Sequence, residues 1–154
     1  MATTTASQGT VSLEDARRVT AAAEDCAREI GQPQNIAVVD AGGNLVSHVR
    51  MDGAWIGSVD IAINKAFTAA CHRRPTHTYT NAQPGQEAFG IMNMHQGRFS
   101  IFVGGWPIEV DGEVVGAVSA SGGNGEQDIA CCKAGIDAFM ASLGKTADYT
   151  KWER

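Results

Sequence analysis

Two pairs of strand-forming runs, each joined by a tight turn, are the sequence feature that most limits the fold. The β-branched run at residues 36–41 and the alternating run at residues 45–51 flank a Gly-Gly-Asn turn, which is typical of a β-hairpin. A second hairpin is predicted where Asp111-Gly112 joins residues 108–110 to residues 113–120. Strands joined this closely are antiparallel, because parallel neighbours need a crossover of a dozen or more residues. The pattern therefore excludes a doubly wound parallel sheet.

Three further segments have apolar residues at helical spacing, at residues 13–30, 58–72 and 126–143. Ser12 is suited to cap the start of the first segment, and Gly31 is suited to end it. The run Phe-Ser-Ile-Phe-Val at residues 99–103 predicts one more strand. The predicted order is α-β-β-α-β-β-β-α, an α+β fold in which helices flank an antiparallel five-stranded sheet.

Length and composition favour one ordinary globular domain, because the chain has 154 residues, of which 44% are hydrophobic and 19% charged. We expect a disordered N-terminal lead at residues 1–10, a single domain at 11–145 and a C-terminal tail at 146–154. The lead lacks the basic and apolar parts of a signal peptide, so we expect a cytoplasmic protein. No segment is apolar over the length of a bilayer, which argues against a membrane partner.

Charge and the spacing of cysteines and histidines argue against two further classes of function. The net charge is −5 and no Lys/Arg-rich patch occurs, which disfavours nucleic acid as a partner. The four cysteines form no C-x-x-C pair, and the histidines show neither H-x-x-x-H nor H-E-x-x-H spacing. The sequence therefore predicts no preformed metal site.

Five short phrases occur in an order that resembles the GlcG/HbpS-like family. They are AVVDAGGNL at residues 37–45, RMDGA at 50–54, KAFTA at 65–69, GGWPI at 104–108 and GAVSASGG at 116–123. The resemblance covers nearly the whole chain and implies a profilin-like fold and a homo-oligomer. Some members of the family, and a similar domain of corrinoid adenosyltransferases, bind haem, and others are encoded beside catabolic enzymes. The resemblance thus implies haem or another tetrapyrrole as the first candidate for cofactor and ligand.

Arg50 and Asp52 belong to the second of these phrases and are candidate ligand-binding residues. Arg50 ends a predicted strand, where its guanidinium can bind a ligand carboxylate through two parallel hydrogen bonds. Pairing of Arg50 with Asp52, or with an acid of a partner subunit, is the structural alternative. Asp52 precedes Gly53, and this dipeptide is more typical of a turn than of a catalytic site.

The segment with Ser121, Gly122 and Gly123 runs from a predicted strand into the last helix and is a second candidate for ligand binding. Glycine lets backbone N–H groups turn toward a ligand, and a helix N-terminus favours an anion such as a carboxylate or phosphate. The alternative is a tight strand-to-helix turn with Asp128 near the start of the helix.

Lys65 and two histidines are the candidates for chemistry. Lys65 lies mid-helix in an apolar stretch, where it needs an anionic partner or titrates abnormally and can act as a base or Schiff-base donor. The alternative is that its stem runs along the helix edge to solvent. His48 lies two residues before Arg50 on the same strand face, and His77 lies in a long loop. Either imidazole can ligate haem iron, and His48 can also serve with Lys65 in acid–base catalysis.

Three functions are compatible with these residues. The first is a binding protein for haem, another tetrapyrrole or another small anionic molecule, accessory to a catabolic pathway. The second is a catabolic enzyme that acts on a small carboxylate, in which Arg50 holds the carboxylate and a His or Lys65 moves protons. The third is an oligomeric structural or accessory subunit.

Overall fold

A computed structural model describes residues 9–153, so most of the predicted lead at residues 1–10 lies outside the described residues. The helices are α1 (Leu13–Ile30), α2 (Gly57–His72) and α3 (Gly125–Ser142), and the strands are β1 (Asn35–Asp40), β2 (Leu45–Arg50), β3 (Gly105–Val110) and β4 (Glu113–Ser121). The strands form one sheet in the order β2-β1-β4-β3, and all neighbours are antiparallel. The α+β class and both hairpins are therefore confirmed. None of the helices described here has the length and apolarity that a membrane span requires.

Helices cover both faces of the sheet. Ala37 and Val39 of β1 pack with alanines of α2, whereas Ile36 and Val38 pack with residues of α1 and α3. Because β1 is covered on both faces, its apolar residues run continuously instead of alternating with polar ones. On one face of the sheet α2 is therefore the only described helix, and α2 covers only part of the edge strand β2.

Side-chain caps set where the helices begin. Ser12 accepts a hydrogen bond from the backbone N–H of Asp15, as expected from the sequence, and Gly31 ends α1 with a φ of 76°. At the start of α3, Asn124 accepts from the N–H of Gln127, and the Gln127 side chain accepts from the N–H of Asn124. This capping box begins α3 directly after the glycine segment at residues 121–123.

The prediction of a fifth strand is wrong, because residues 99–103 pair with no strand within residues 9–153. Their backbone groups bond to side chains of α2 instead. The N–H of Ser100 donates to the Thr68 hydroxyl at 2.9 Å, and the carbonyl of Val103 accepts from the Lys65 ammonium at 2.9 Å. The segment is thus a loop that lies beside α2 and ends at Gly104. The profilin-like topology stays a prediction.

The C-terminal tail packs on the protein's own surface. The Tyr149 hydroxyl donates to Asp137 of α3 at 2.7 Å, and its ring lies edge-on to Trp106 of β3 at 5.6 Å between ring centroids. The backbone carbonyl of Trp152 lies 3.1 Å from Nε2 of His77. The tail therefore covers the β3 end of the face that also carries α1 and α3.

Candidate functional site

A cavity of about 310 Å³ lies between α2, the loop at residues 99–103 and the glycine segment. Trp55, Ile61 and Phe102 form apolar walls, and Ser121–Gly123 form a polar side. Trp55 is 67% exposed and Phe102 is 63% exposed, so both rings stand at the opening. A volume of this size is at the lower end of the range for small-molecule sites, and the open rim leaves room for a ligand that extends beyond it.

Lys65 lies at the base of this cavity and is only 1% exposed. Its Nζ donates to Asp128 Oδ2 at 3.0 Å, to the carbonyl of Val103 at 2.9 Å and to the carbonyl of Ala120. These three acceptors engage all three donors of the ammonium group. Burial lowers the pKa of Lys65, and attraction to Asp128 opposes that shift. The structure therefore supplies the anionic partner that the sequence required and ties α2 to the loop, β4 and α3.

The same carboxylate holds the glycine segment in place. Oδ1 of Asp128 accepts from the N–H of Gly123 at 3.0 Å, while Oδ2 pairs with Lys65. Gly104 packs directly against this pair with a φ of 109°, and a Cβ there would lie 2.7 Å from both Lys65 Nζ and Asp128 Cβ. Only glycine fits such a position, because a side chain would meet both a left-handed backbone and two groups fixed by their own bonds.

A row of polar side chains crosses the sheet beside the cavity. Arg50 of β2 pairs in register with Asn35 of β1, which pairs with Ser121 of β4, so the three share the sheet face that carries α2. The Asn35 side chain is fully buried and donates to the carbonyl of Trp55 at 2.8 Å, and its Oδ1 has no hydrogen-bond partner among the described residues. Arg50 is exposed and lies two strand spacings, roughly 10 Å, from Ser121. It does not line the cavity, but it is within reach of a large ligand seated there.

Asp52 lies in the turn after β2, as its sequence context suggested. It is exposed, and the turn is closed by a hydrogen bond from the N–H of Ala54 to the carbonyl of Met51 at 3.0 Å. The structure shows no ion pair between Asp52 and Arg50 within the described chain.

His48 lies on the same sheet face as Arg50, because it pairs in register with Ala37, which packs against α2. Its Nε2 is buried and has no hydrogen-bond partner among the described residues. Burial, with a smaller effect of the Arg50 charge, lowers the pKa of His48. A lowered pKa favours the neutral imidazole, which is the form that binds a metal.

The structure separates His77 from these residues. Its ring lies 5.2 Å from that of Trp106 on β3, and its Nε2 faces the carbonyl of Trp152. Because β3 and β2 are opposite edges of the sheet, His77 and His48 are on opposite sides of the molecule.

Sequence reasoning missed the walls of the cavity and the central role of Asp128. Trp55 and Phe102 were not singled out, although large apolar residues beside glycine turns are a signal of an exposed binding surface. Asp128 was placed only near a helix start. Two signals together could have identified it. Asp128 is an acid in the first turn of a helix that follows a glycine segment, and Lys65 lies in an apolar helix with no acidic partner next to it in the sequence.

Comparison with known proteins assigns the family. The family model described as haem degrading protein HbpS-like matches residues 11–137. The chain belongs to the HbpS-like family. This HbpS-like chain is 44% identical over 131 residues to an uncharacterized 15.0 kDa protein from the dhaT-dhaS intergenic region of Citrobacter freundii, covering 84% of this chain and 92% of that protein. The resemblance found from the five phrases is thereby confirmed.

Two solved structures share the fold of this HbpS-like chain. The Klebsiella pneumoniae protein ORFY is 40% identical, with a TM-score of 0.83 over 85% of this chain and 91% of that one. The haem complex of PduOC is 32% identical, with a TM-score of 0.79 over 84% of this chain and 94% of that one. A relative of the same fold thus binds haem.

Proposed function

We propose that this chain binds a planar ligand that carries carboxylates, haem or another tetrapyrrole, at the cavity beside the glycine segment. The observation that carries the proposal is the combination of an open cavity with aromatic side chains at its rim and, on the same sheet face, an exposed Arg50. The similarity to the haem complex of PduOC supports the choice of ligand.

The residues present fit the three chemical parts of haem. Trp55, Ile61 and Phe102 offer apolar surface to a flat macrocycle. Arg50 stands roughly two strand spacings from the cavity, a separation that suits a propionate of a large ligand better than the carboxylate of a small one. His48 lies on the same face outside the cavity lining, and imidazole is a common axial ligand of haem iron. Because its Nε2 is buried, ligation would use Nδ1 or need the ring to turn. Bound iron would supply redox or oxygen chemistry, while the chain would bind and orient the macrocycle.

An accessory role in a catabolic pathway and a homo-oligomeric state are part of the same proposal. The oligomer is supported by two adjacent apolar side chains, Trp55 at the cavity rim with 67% exposure and its chain neighbour Ile56 with 76% exposure. Large neighbouring apolar groups in water favour a partner surface.

Titration of haemin into metal-free and haem-free protein tests the proposal. We expect a saturable, stoichiometric shift of the Soret band. Arg50→Ala should weaken binding by about tenfold or more, because a hydrogen bond to a charged group contributes about 1.5–3 kcal/mol. The matched control is Arg17→Ala, which removes an exposed arginine from α1 on the other side of the sheet. Weak, nonsaturating absorption changes in the wild type would refute a tetrapyrrole site.

The two histidine candidates are separated by the spectrum of the bound complex. We expect His48→Gln to shift the Soret band and His77→Gln to leave it unchanged, since only His48 shares a sheet face with Arg50. A shift caused by His77→Gln alone would move the site to the β3 edge. Unaltered spectra in both variants would exclude ligation by either histidine.

A further inference from the structure

Two histidines that are 23 residues apart in the chain meet beside the C-terminal end of α2. Nε2 of His72 lies 3.1 Å from Nε2 of His95, and the two ring centroids are 5.3 Å apart. The ring of Phe99 supports both imidazoles, edge-on to His72 at 4.7 Å and stacked with His95 at 6.4 Å. The two nitrogen atoms are therefore held close together by aromatic packing.

The separation of these nitrogens matches that of two neighbouring ligands on one metal ion. Metal–imidazole bonds of about 2.0–2.1 Å at tetrahedral or square-planar angles place two ligand nitrogens roughly 3 Å apart. The same distance also suits a hydrogen bond in which one Nε2–H donates to the other ring. Both arrangements need a neutral imidazole, and burial, followed by the charges of His95 and Arg74, lowers the pKa of His72.

The backbone that carries His95 is unusual. His95 has a φ of 53° and Gln96 a φ of 59°, so two consecutive non-glycine residues adopt the left-handed conformation. Such conformations persist where the surroundings enforce them, and they concentrate at ligand sites. Here they place the exposed imidazole of His95 against His72.

We propose that His72 and His95 form a two-imidazole chelate for a divalent transition metal of the Cu²⁺, Ni²⁺ or Zn²⁺ class. Imidazole suits these ions, whereas Mg²⁺ and Ca²⁺ prefer carboxylate and carbonyl oxygens. Among the described residues, no three His, Cys, Asp or Glu side chains lie close enough together to hold one metal ion. The chain therefore supplies two ligands, and solvent or a small molecule supplies the others. The site binds an exchangeable metal rather than a structural one.

Positive charges near the pair restrict binding to ions with a high intrinsic affinity for nitrogen ligands. Arg74 lies over the ring of Tyr79 at 4.6 Å, and Arg98 lies over the ring of Phe67, which contacts His95, at 3.6 Å. Their positive charges oppose cation binding in general. Among divalent ions, Cu²⁺ binds nitrogen ligands most tightly, so we expect it to bind first and Ni²⁺ and Zn²⁺ to follow. Neither histidine lines the cavity beside the glycine segment, so the proposal does not rest on haem binding.

Copper titration of the haem-free full chain tests the chelate. We expect calorimetry to show one site per chain and electron paramagnetic resonance to show nitrogen hyperfine splitting from two imidazoles. His72→Gln and His95→Gln should each weaken this site by roughly 10²-fold, because each removes the intramolecular second ligand. The double variant should lose the site altogether, because neither imidazole remains.

The matched control is His77→Gln, which removes an imidazole at the β3 edge and should leave copper affinity unchanged. His95 is exposed, so its variant tests the site without disturbing the core. Equal copper affinity in wild type and His95→Gln, or a spectrum with a single nitrogen ligand, would overturn the proposal and leave the pair as a hydrogen bond.

Discussion

At the scale of single residues, the ammonium of Lys65 determines how the cavity is held together. It bonds to Asp128 and to the carbonyls of Val103 and Ala120, and the side chains of Lys65 and Asp128 are only 1% and 6% exposed. Lys65→Met should lower the free energy of unfolding by about 3–5 kcal/mol, because it leaves a buried carboxylate and two carbonyls without their donor. Urea denaturation monitored by circular dichroism measures this loss.

The control for that variant replaces the anion as well. Lys65→Met combined with Asp128→Leu should cost less than the sum of the two single changes, since neither charge is then left unpaired. A loss below about 1 kcal/mol in Lys65→Met would contradict the structural role of the ammonium.

The need of Lys65 for an anion could be predicted from the sequence, but the identity of the anion could not. A lysine among apolar helix residues signals an unusual environment by itself. Asp128 lies 63 residues away, and only the packing of α3 across the sheet brings the two together. The pairing of His72 with His95 was missed for the same reason, because the two residues lie 23 positions apart, joined by loop. Neither spacing corresponds to a local motif.

At the scale of elements, prediction succeeded where the determining contacts are local. The hairpins around residues 42–44 and 111–112 follow from turn chemistry, and the start and end of α1 follow from Ser12 and Gly31. Residues 99–103 have the composition of a strand but not its hydrogen bonds, and side chains of α2 bond to two of their backbone groups, the Ser100 N–H and the Val103 carbonyl. Composition indicates whether a segment favours an extended conformation. It does not indicate which groups form hydrogen bonds with its backbone.

The loop at residues 99–103 gives a prediction about stability and hydrogen exchange. The Thr68 hydroxyl accepts from the N–H of Ser100 at 2.9 Å and is oriented by the carbonyl of Asn64 at 2.8 Å. Thr68→Val removes this acceptor, so we expect a loss of about 1–3 kcal/mol and faster amide hydrogen exchange at residues 98–103. Thr20→Val is the matched control, since Thr20 is also buried but bonds to Ala16 and Ser47 on α1 and β2. Equal exchange of the loop in both variants would show that Thr68 does not hold it.

At the scale of the whole molecule, folding brings two histidines into surroundings that disfavour their charged form. The pKa values of His48 and His72 are both lowered, chiefly by burial, with smaller effects of Arg50 on the first and of His95 and Arg74 on the second. In the unfolded chain these imidazoles titrate near pH 6.5. The unfolded state therefore binds more protons than the folded state at mildly acidic pH.

This difference predicts how stability changes with pH. Well above pH 6.5 both states hold neutral imidazoles, and the two histidines leave stability independent of pH. As the pH falls from there through the lower folded-state pKa values, protons favour the unfolded chain and the free energy of unfolding decreases. Asp148, whose pKa is lowered by hydrogen bonds from Thr150, loses its contribution to stability only in more acidic solution, since its ordinary pKa is 3.8.

Urea denaturation at intervals between pH 5 and 8 therefore isolates the histidines. The variant with both His48→Gln and His72→Gln should have a flatter profile than the wild type, and an unchanged slope would assign the pH dependence to other groups.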